Sequence, residues 1–316
     1  MSLSLDDVKT AAKRIHGYAF RTPCYESFSE PSAFLKLECF QPVRSFKIRG
    51  ASNKMLSIDR AILERNGVIT ASSGNHGLAV AYMAKKLKIN ATIVLPENVI
   101  PDKLALIKSL GAKTVFAGTQ QDVRAAKAAE IQRAEGQMFI QPFNDPEIIA
   151  GQGTCGLEIL EDVPDVDSIF VPIGGGGLIS GVALAIKLTK LDTKVIGVQP
   201  SGSPSMYESV KGKKLTSIDQ SNTIADGLAV RKPGDITFSY VEKYVDEIIL
   251  VSDEEILNAT AQIIKKEHIL SETSGAAAFA GLLKSRKSAE GSSRNVAIVS
   301  GGNISSQMLK TVVASF

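Results

Sequence analysis

A lysine set directly behind a phenylalanine, Phe46-Lys47 in "SFKIRG" (residues 45–50), raises a chemical question. A neutral lysine amine attacks carbonyl carbon and can take a proton from a neighbouring carbon. At its ordinary pKa of about 10.4 it does neither well near neutrality. Desolvation or a cationic neighbour would favour the neutral form, and Arg44 and Arg49 flank Lys47 in the chain. Taken locally, the run reads as solvated helix and Lys47 as a surface charge.

Three further segments could do chemistry. "TASSGNHG" (70–77) places Ser72, Ser73, Asn75 and His76 at the end of a predicted strand, where first-turn amides and the helix dipole suit a carboxylate or phosphate. "PIGGGGLISG" (172–181) carries Gly174, Gly175, Gly176, Gly177 and Leu178, a run that lets several N–H groups face one anion. It fails as a dinucleotide fingerprint, because GxGxxG counted from Gly174 ends on Ile179 and from Gly175 on Ser180. The following strand ends in Gln199 where a ribose-binding acid belongs, and no Lys-Ser or Lys-Thr follows to make a Walker loop. "IVSGGN" (298–303) is the third, with Ser300 at its tip. Together the three loops suit one phosphorylated, aromatic-ring cofactor.

The elements that must position these loops alternate in kind. Strand-like runs at 67–70, 91–96, 113–118, 168–173, 194–199, 247–252 and 295–300 are separated by helical patterns, one opening with a capping box at Ser252 and Glu255. This rhythm predicts an α/β chain with open, twisted, mostly parallel sheets, which bind ligands at the carboxyl ends of their strands. Residues 67–144 form a compact unit of three strand-helix steps, set into a larger domain of 1–66 and 145–316.

At 316 residues the chain can bury a large core in about two domains. Lys plus Arg number 36 against 33 Asp plus Glu, a net +3 without a basic-aromatic cluster, which argues against a nucleic-acid partner. The three cysteines, Cys24, Cys39 and Cys155, make no metal or disulfide pattern, and no run is apolar enough to span a membrane. A cytoplasmic protein is expected.

In this order "SFKIRGA", "SSGNHG", "GGGGL" and "SGGN", with "PFNDPEIIAGQGT" (142–154) and "TIADGLAVRKPGD" (223–235), resemble fold-type-II pyridoxal-phosphate enzymes. The resemblance runs from "RTP" (21–23) to "SGGN" and points to the threonine/serine dehydratase and serine racemase branch, nearest the threonine dehydratases. It implies pyridoxal 5'-phosphate held covalently by Lys47, with Phe46 near the ring, Asn75 on its phenolic oxygen and Ser300 at its pyridine nitrogen. It places the phosphate on the backbone of Gly174, Gly175, Gly176, Gly177 and Leu178. It assigns the substrate carboxylate to Ser72, Ser73, Asn75 and His76, and a second-face base to Ser73. Glu272 aligns near the ring, and Phe143 lines the pocket or packs in the core. A mobile small domain and a homodimer or homotetramer are further implications.

The implied reaction is β-elimination from L-threonine or L-serine to 2-oxobutyrate or pyruvate plus ammonia. His76 stands where cysteine-synthase-like members carry Thr, and "FKIRG" where threonine synthases read Phe-Lys-Asp. Gln199 and Ser205 replace acidic metal ligands of the racemases, so no metal site is expected. Val43-Arg44 stands where many relatives have Thr-Gly. No C-terminal regulatory domain is expected after "SGGN". Serine racemase and hydroxyaspartate dehydratase or racemase remain alternatives on the same scaffold. A nicotinamide-dependent oxidoreductase and a non-catalytic ligand-binding protein are the alternatives of other classes.

Overall fold

The computed structural model describes residues 2–72, 74–286 and 293–316. Its strands are β1 (Cys24–Glu26), β2 (Ala33–Leu37), β3 (Val68–Ala71), β4 (Ala91–Leu95) and β5 (Lys113–Phe116). They continue with β6 (Met138–Phe139), β7 (Ser168–Pro172), β8 (Lys194–Pro200), β9 (Glu247–Val251) and β10 (Asn295–Val299). The helices are α1 (Leu5–Ile15), α2 (Lys47–Ser57), α3 (Arg60–Asn66), α4 (Asn75–Leu87), α5 (Pro101–Ser109) and α6 (Gln121–Glu135). After them come α7 (Pro146–Asp162), α8 (Gly177–Lys187), α9 (Ser205–Lys211) and α10 (Asp235–Tyr244). The last are α11 (Asp253–Lys266), α12 (Thr273–Arg286) and α13 (Ser306–Ala314).

Two sheets result. One runs β1-β2-β10-β7-β8-β9, parallel except for β1, and the other runs β5-β4-β3-β6, parallel throughout. Strands bordered by helices read as continuous apolar runs, and β4, β10 and nearly all of β7 are buried. The capping box at Ser252 forms, its hydroxyl accepting from Glu255 N–H and its own N–H donating to the Glu255 carboxylate at 2.8 Å. Among the described residues no helix is long and apolar enough to cross a membrane.

The strands expected from the sequence are present within two residues at each end, whereas β1, β2 and β6 are additional. β1 and β6 are very short, and β2, "AFLKL", carries a charge at its fourth position. That charge, Lys36, is fully buried and paired with Glu158 at 2.8 Å and Asp162 at 3.3 Å.

The solvated-helix reading of "SFKIRG" is corrected. Ile48, Arg49, Gly50, Ala51, Ser52 and Asn53 of α2 are all buried, because α2 lies against α7 at close range. A Cβ added to Gly151 would lie 2.6 Å from the Arg49 carbonyl oxygen, so this crossing admits no side chain there. Arg44, ahead of α2, has φ +58°, in the left-handed region that favours glycine. Its carbonyl accepts from Gly302 N–H at 2.8 Å. The backbone at this position therefore suits glycine, and arginine holds the turn under strain.

Candidate active site

All three loops leave the carboxyl ends of strands: residues 72–75 follow β3, the glycines follow β7, and Ser300 follows β10. They meet the start of α2. Phe46 N–H donates to the Ser300 carbonyl at 3.1 Å, and Ser45 bridges Gly301. A cleft of about 260 Å³ is lined by Phe46, Lys47, Ser72, Asn75, His76, Gly175 and Ser300, together with Phe143 and Glu272. Ser73 lies outside the described residues.

Lys47 Nζ donates to the Pro142 carbonyl at 2.7 Å and sits 5.1 Å from the Phe46 ring centroid. The residue is half-buried, but its amine is enclosed, and desolvation brings its pKa down to about 8. Burial is the cause, and the flanking arginines are not. Arg44 is exposed, and Arg49 turns away to Glu38 and Glu158.

His76 is buried, its Nε2 3.0 Å from the Ile140 carbonyl. Burial, then the nearby Lys47 charge, lowers its pKa to about 3, so the ring is neutral and Nε2–H is the donor to that carbonyl. Asn75 is held at both ends: Nδ2 donates to Glu272 Oε1 at 2.5 Å, and Oδ1 accepts from Asn303 Nδ2 at 2.7 Å. Burial, reinforced by Asp226, raises Glu272 to about 7.

The glycine loop is compact. Gly176 has φ +95°, and a Cβ there would lie 2.6 Å from Met206 Cε. The Phe143 ring covers Gly175, where a Cβ would approach to 2.4 Å; Phe143 thus both lines the cleft and packs on the loop. Of the five loop residues, Gly175 lines the cleft. The N–H groups of Gly174, Gly175, Gly176, Gly177 and Leu178 have no protein acceptor among the described residues, and Gly177 begins α8. Ser300 is buried, its hydroxyl 3.4 Å from the Ser274 carbonyl.

These features fit a phosphorylated pyridine aldehyde. A turn of N–H donors at a helix N-terminus suits the phosphate, a depressed amine suits the carbonyl carbon, and a neutral hydroxyl suits an unprotonated ring nitrogen. Among the described residues no group of three His, Cys, Asp or Glu side chains could hold a metal. Gln199 accepts from Tyr207 N–H, and the Ser205 hydroxyl donates to the Val230 carbonyl.

Sequence reasoning missed Lys103, Arg124 and Asp226, which also line the cleft. Lys103 and Arg124 sit in charged helical stretches with no local mark of function. Asp226 lay within the quoted "TIADGLAV", and its Asp-Gly pair was the available signal.

L-threonine ammonia-lyase of Thermotoga maritima is 42% identical over 317 residues, covering 98% of this chain and 78% of that protein. The catabolic L-threonine dehydratase TdcB of Escherichia coli K12 is 40% identical over 310 residues, covering 96% and 94%. Among solved structures, maize serine racemase superimposes with a TM-score of 0.92 at 36% identity, covering 100% of this chain and 98% of that one. Residues 15–301 match the family described as pyridoxal-phosphate dependent enzyme. A shared cleft, close relatives along almost the whole length and this family match agree: the chain belongs to the pyridoxal-phosphate dependent enzymes.

Proposed function

We propose that this protein is an ammonia-lyase that eliminates water from L-threonine or L-serine, the resulting enamine then taking up water in hydrolysis to give 2-oxobutyrate or pyruvate plus ammonia. The observation that carries the reading is the enclosed Lys47 amine, at a pKa of about 8, in one cleft with Asn75 and Ser300. Lys47 is the covalent attachment point, and the N–H groups from Gly174 to Leu178 hold the phosphate. Phe46 packs near the ring, and Asn75 is positioned to donate to its oxygen. Bound pyridoxal phosphate supplies the electron sink that makes the substrate α-proton removable.

The Lys47 amine, at the start of α2, would be the base within reach of that proton. The proton taken up by Lys47 would be available to the departing β-hydroxyl, which leaves as water. The first-turn amides and hydroxyls near Ser72, Asn75 and His76 hold the substrate carboxylate. Neutral His76 adds no charge there. Ser300 offers a hydroxyl and no carboxylate to the ring nitrogen, which favours prompt elimination over transamination.

Residues 67–144, which contain the four-stranded sheet, act as a small domain closing on 1–66 and 145–316. A cytoplasmic setting is supported by three unpaired cysteines, and a homodimer or homotetramer by exposed Phe20, Phe28 and Phe40.

A second reading, a hydroxyaspartate substrate, has one observation in its favour. Arg124 lines the cleft, and its buried Nε has no partner, a setting suited to a side-chain carboxylate. The racemase reading rests on Ser73 and on the sequence. A panel of L-threonine, L-serine and 3-hydroxyaspartate assayed for 2-oxo acid, with D-serine followed alongside, tests all three. Abundant D-serine with little oxo acid overturns the lyase reading. Replacing Ser300 by Asp is expected to raise transamination side products, and no rise counts against that role.

A further inference from the structure

We propose that Arg49 is a positioning residue for Lys47: clamped between Glu38 and Glu158, it fixes the helical turn that carries the reacting amine. This rests on the reading that Lys47 is the residue joined to pyridoxal phosphate. Residues two apart on an α-helix lie about 200° apart around its axis. Lys47 and Arg49 therefore leave the first turn of α2 on opposite sides, one into the cleft and the other into the body.

Arg49 is almost completely buried, and its donors are all used. Nε and Nη2 donate to the two Glu38 oxygens at 2.7 and 2.8 Å. Nη1 and Nη2 donate to the two Glu158 oxygens, both at 2.7 Å, and Nη1 also reaches Thr154 Oγ1 at 3.0 Å. Nη2 adds the Phe20 carbonyl at 3.2 Å. Two bidentate carboxylates fix a guanidinium plane as one cannot.

The carboxylates sit on rigid ground. Glu38 directly follows β2, and Glu158 is in α7, where Lys36 of β2 also pairs with it. The start of α2 needs such an anchor, because Phe46 at its N-cap provides no side-chain cap. Stability alone does not explain the arrangement, since apolar residues of similar volume often serve a buried site as well as an ion network does. Geometry does: a displacement of about 1 Å at a reacting group can cost about a hundredfold in rate.

The test uses the full-length protein stripped of cofactor and remixed with pyridoxal phosphate. Growth of the visible absorption band gives the capture rate, and borohydride reduction with peptide mapping locates the label. Arg49→Lys keeps the charge and loses the fork. It is expected to slow capture at Lys47 and lower kcat on L-threonine at least about tenfold, with KM within about threefold. Ile263→Ala, a core truncation in α11, is the stability control. It is expected to lower Tm and leave the capture rate within about twofold.

Label on Lys47 at an undiminished rate in Arg49→Lys overturns the clamp alone, as does equal slowing in Ile263→Ala. Label on another lysine in the unmodified protein overturns the underlying reading and the clamp with it. If Arg49→Lys is not recovered folded, Glu158→Gln carries the test. Capture at least about threefold slower is then the expected result, and an unchanged rate overturns the proposal.

Discussion

Burial moves Lys47 downward and Glu272 upward in the cleft, and each gives a pH signature. The neutral fraction of Lys47 governs cofactor capture, so the capture rate should rise with a midpoint at about pH 8 and fall about tenfold per pH unit well below it. A midpoint above pH 10 in stopped-flow absorbance would show the amine to be solvated. Lys47→Ala should abolish both the visible band and oxo-acid formation. Glu272 holds its proton more tightly folded than unfolded. The contribution of Glu272 to the stability of the cofactor-free protein should therefore decline as pH rises from about 4.5 to about 7, against the opposite contribution of neutral His76, which grows up to about pH 6.5. The decline is at most roughly 3 kcal/mol. Denaturant midpoints of the unmodified protein and of Glu272→Gln, compared at pH 5 and 7.5, isolate it: the unmodified protein should lose stability relative to the variant over that interval, and a constant gap would show Glu272 to titrate normally. At this scale the motif residues were legible, because a lysine behind an aromatic and polar strand ends are unusual combinations. Lys103 and Arg124 were not, because a charged residue that turns inward from a helix looks the same in sequence as one that turns outward.

The helix that carries Lys47 works through contact with α7, and that contact depends on the absence of side chains. Gly151→Ala would place a methyl 2.6 Å from the Arg49 carbonyl, and backbone cannot yield as a flexible side chain would. We expect a loss of about 1–3 kcal/mol in stability by chemical denaturation. A fall in kcat should accompany it as α2 shifts, and unchanged stability would show that the helices part freely. Strands with uninterrupted apolar runs were legible to within two residues. β2 was hidden, because Lys36 interrupts its pattern and only tertiary pairing with Glu158 and Asp162 lets a charge occupy a central strand. The burial of α2 was hidden for the same reason, since Arg49 reads as solvated until its carboxylates are known.

Across the whole molecule, few polar contacts join α5, beside the four-stranded sheet, to the opposite lip of the cleft. One is Lys103 Nζ to Asp226 at 2.7 Å, and Asp226 is largely exposed. An exposed pair of this kind contributes at most about 1 kcal/mol. Asp226→Ala should therefore shift the denaturation midpoint little and yet raise KM for L-threonine several-fold, through a less complete closure. Parallel losses in stability and KM would assign the pair an ordinary structural role. The two-sheet architecture was legible from alternating strands and helices, whereas the bridge across the cleft was not, because its partners are 123 residues apart. The glycine turn after β7 reaches beyond the molecule. On the function proposed above, its N–H groups would take their acceptor from the cofactor, and the folded state would gain about 2.7 kcal/mol when free pyridoxal phosphate is a hundred times its dissociation constant. A cell short of the parent vitamin would then lose this enzyme to proteolysis at an unchanged rate of synthesis, and its abundance would track nutrition.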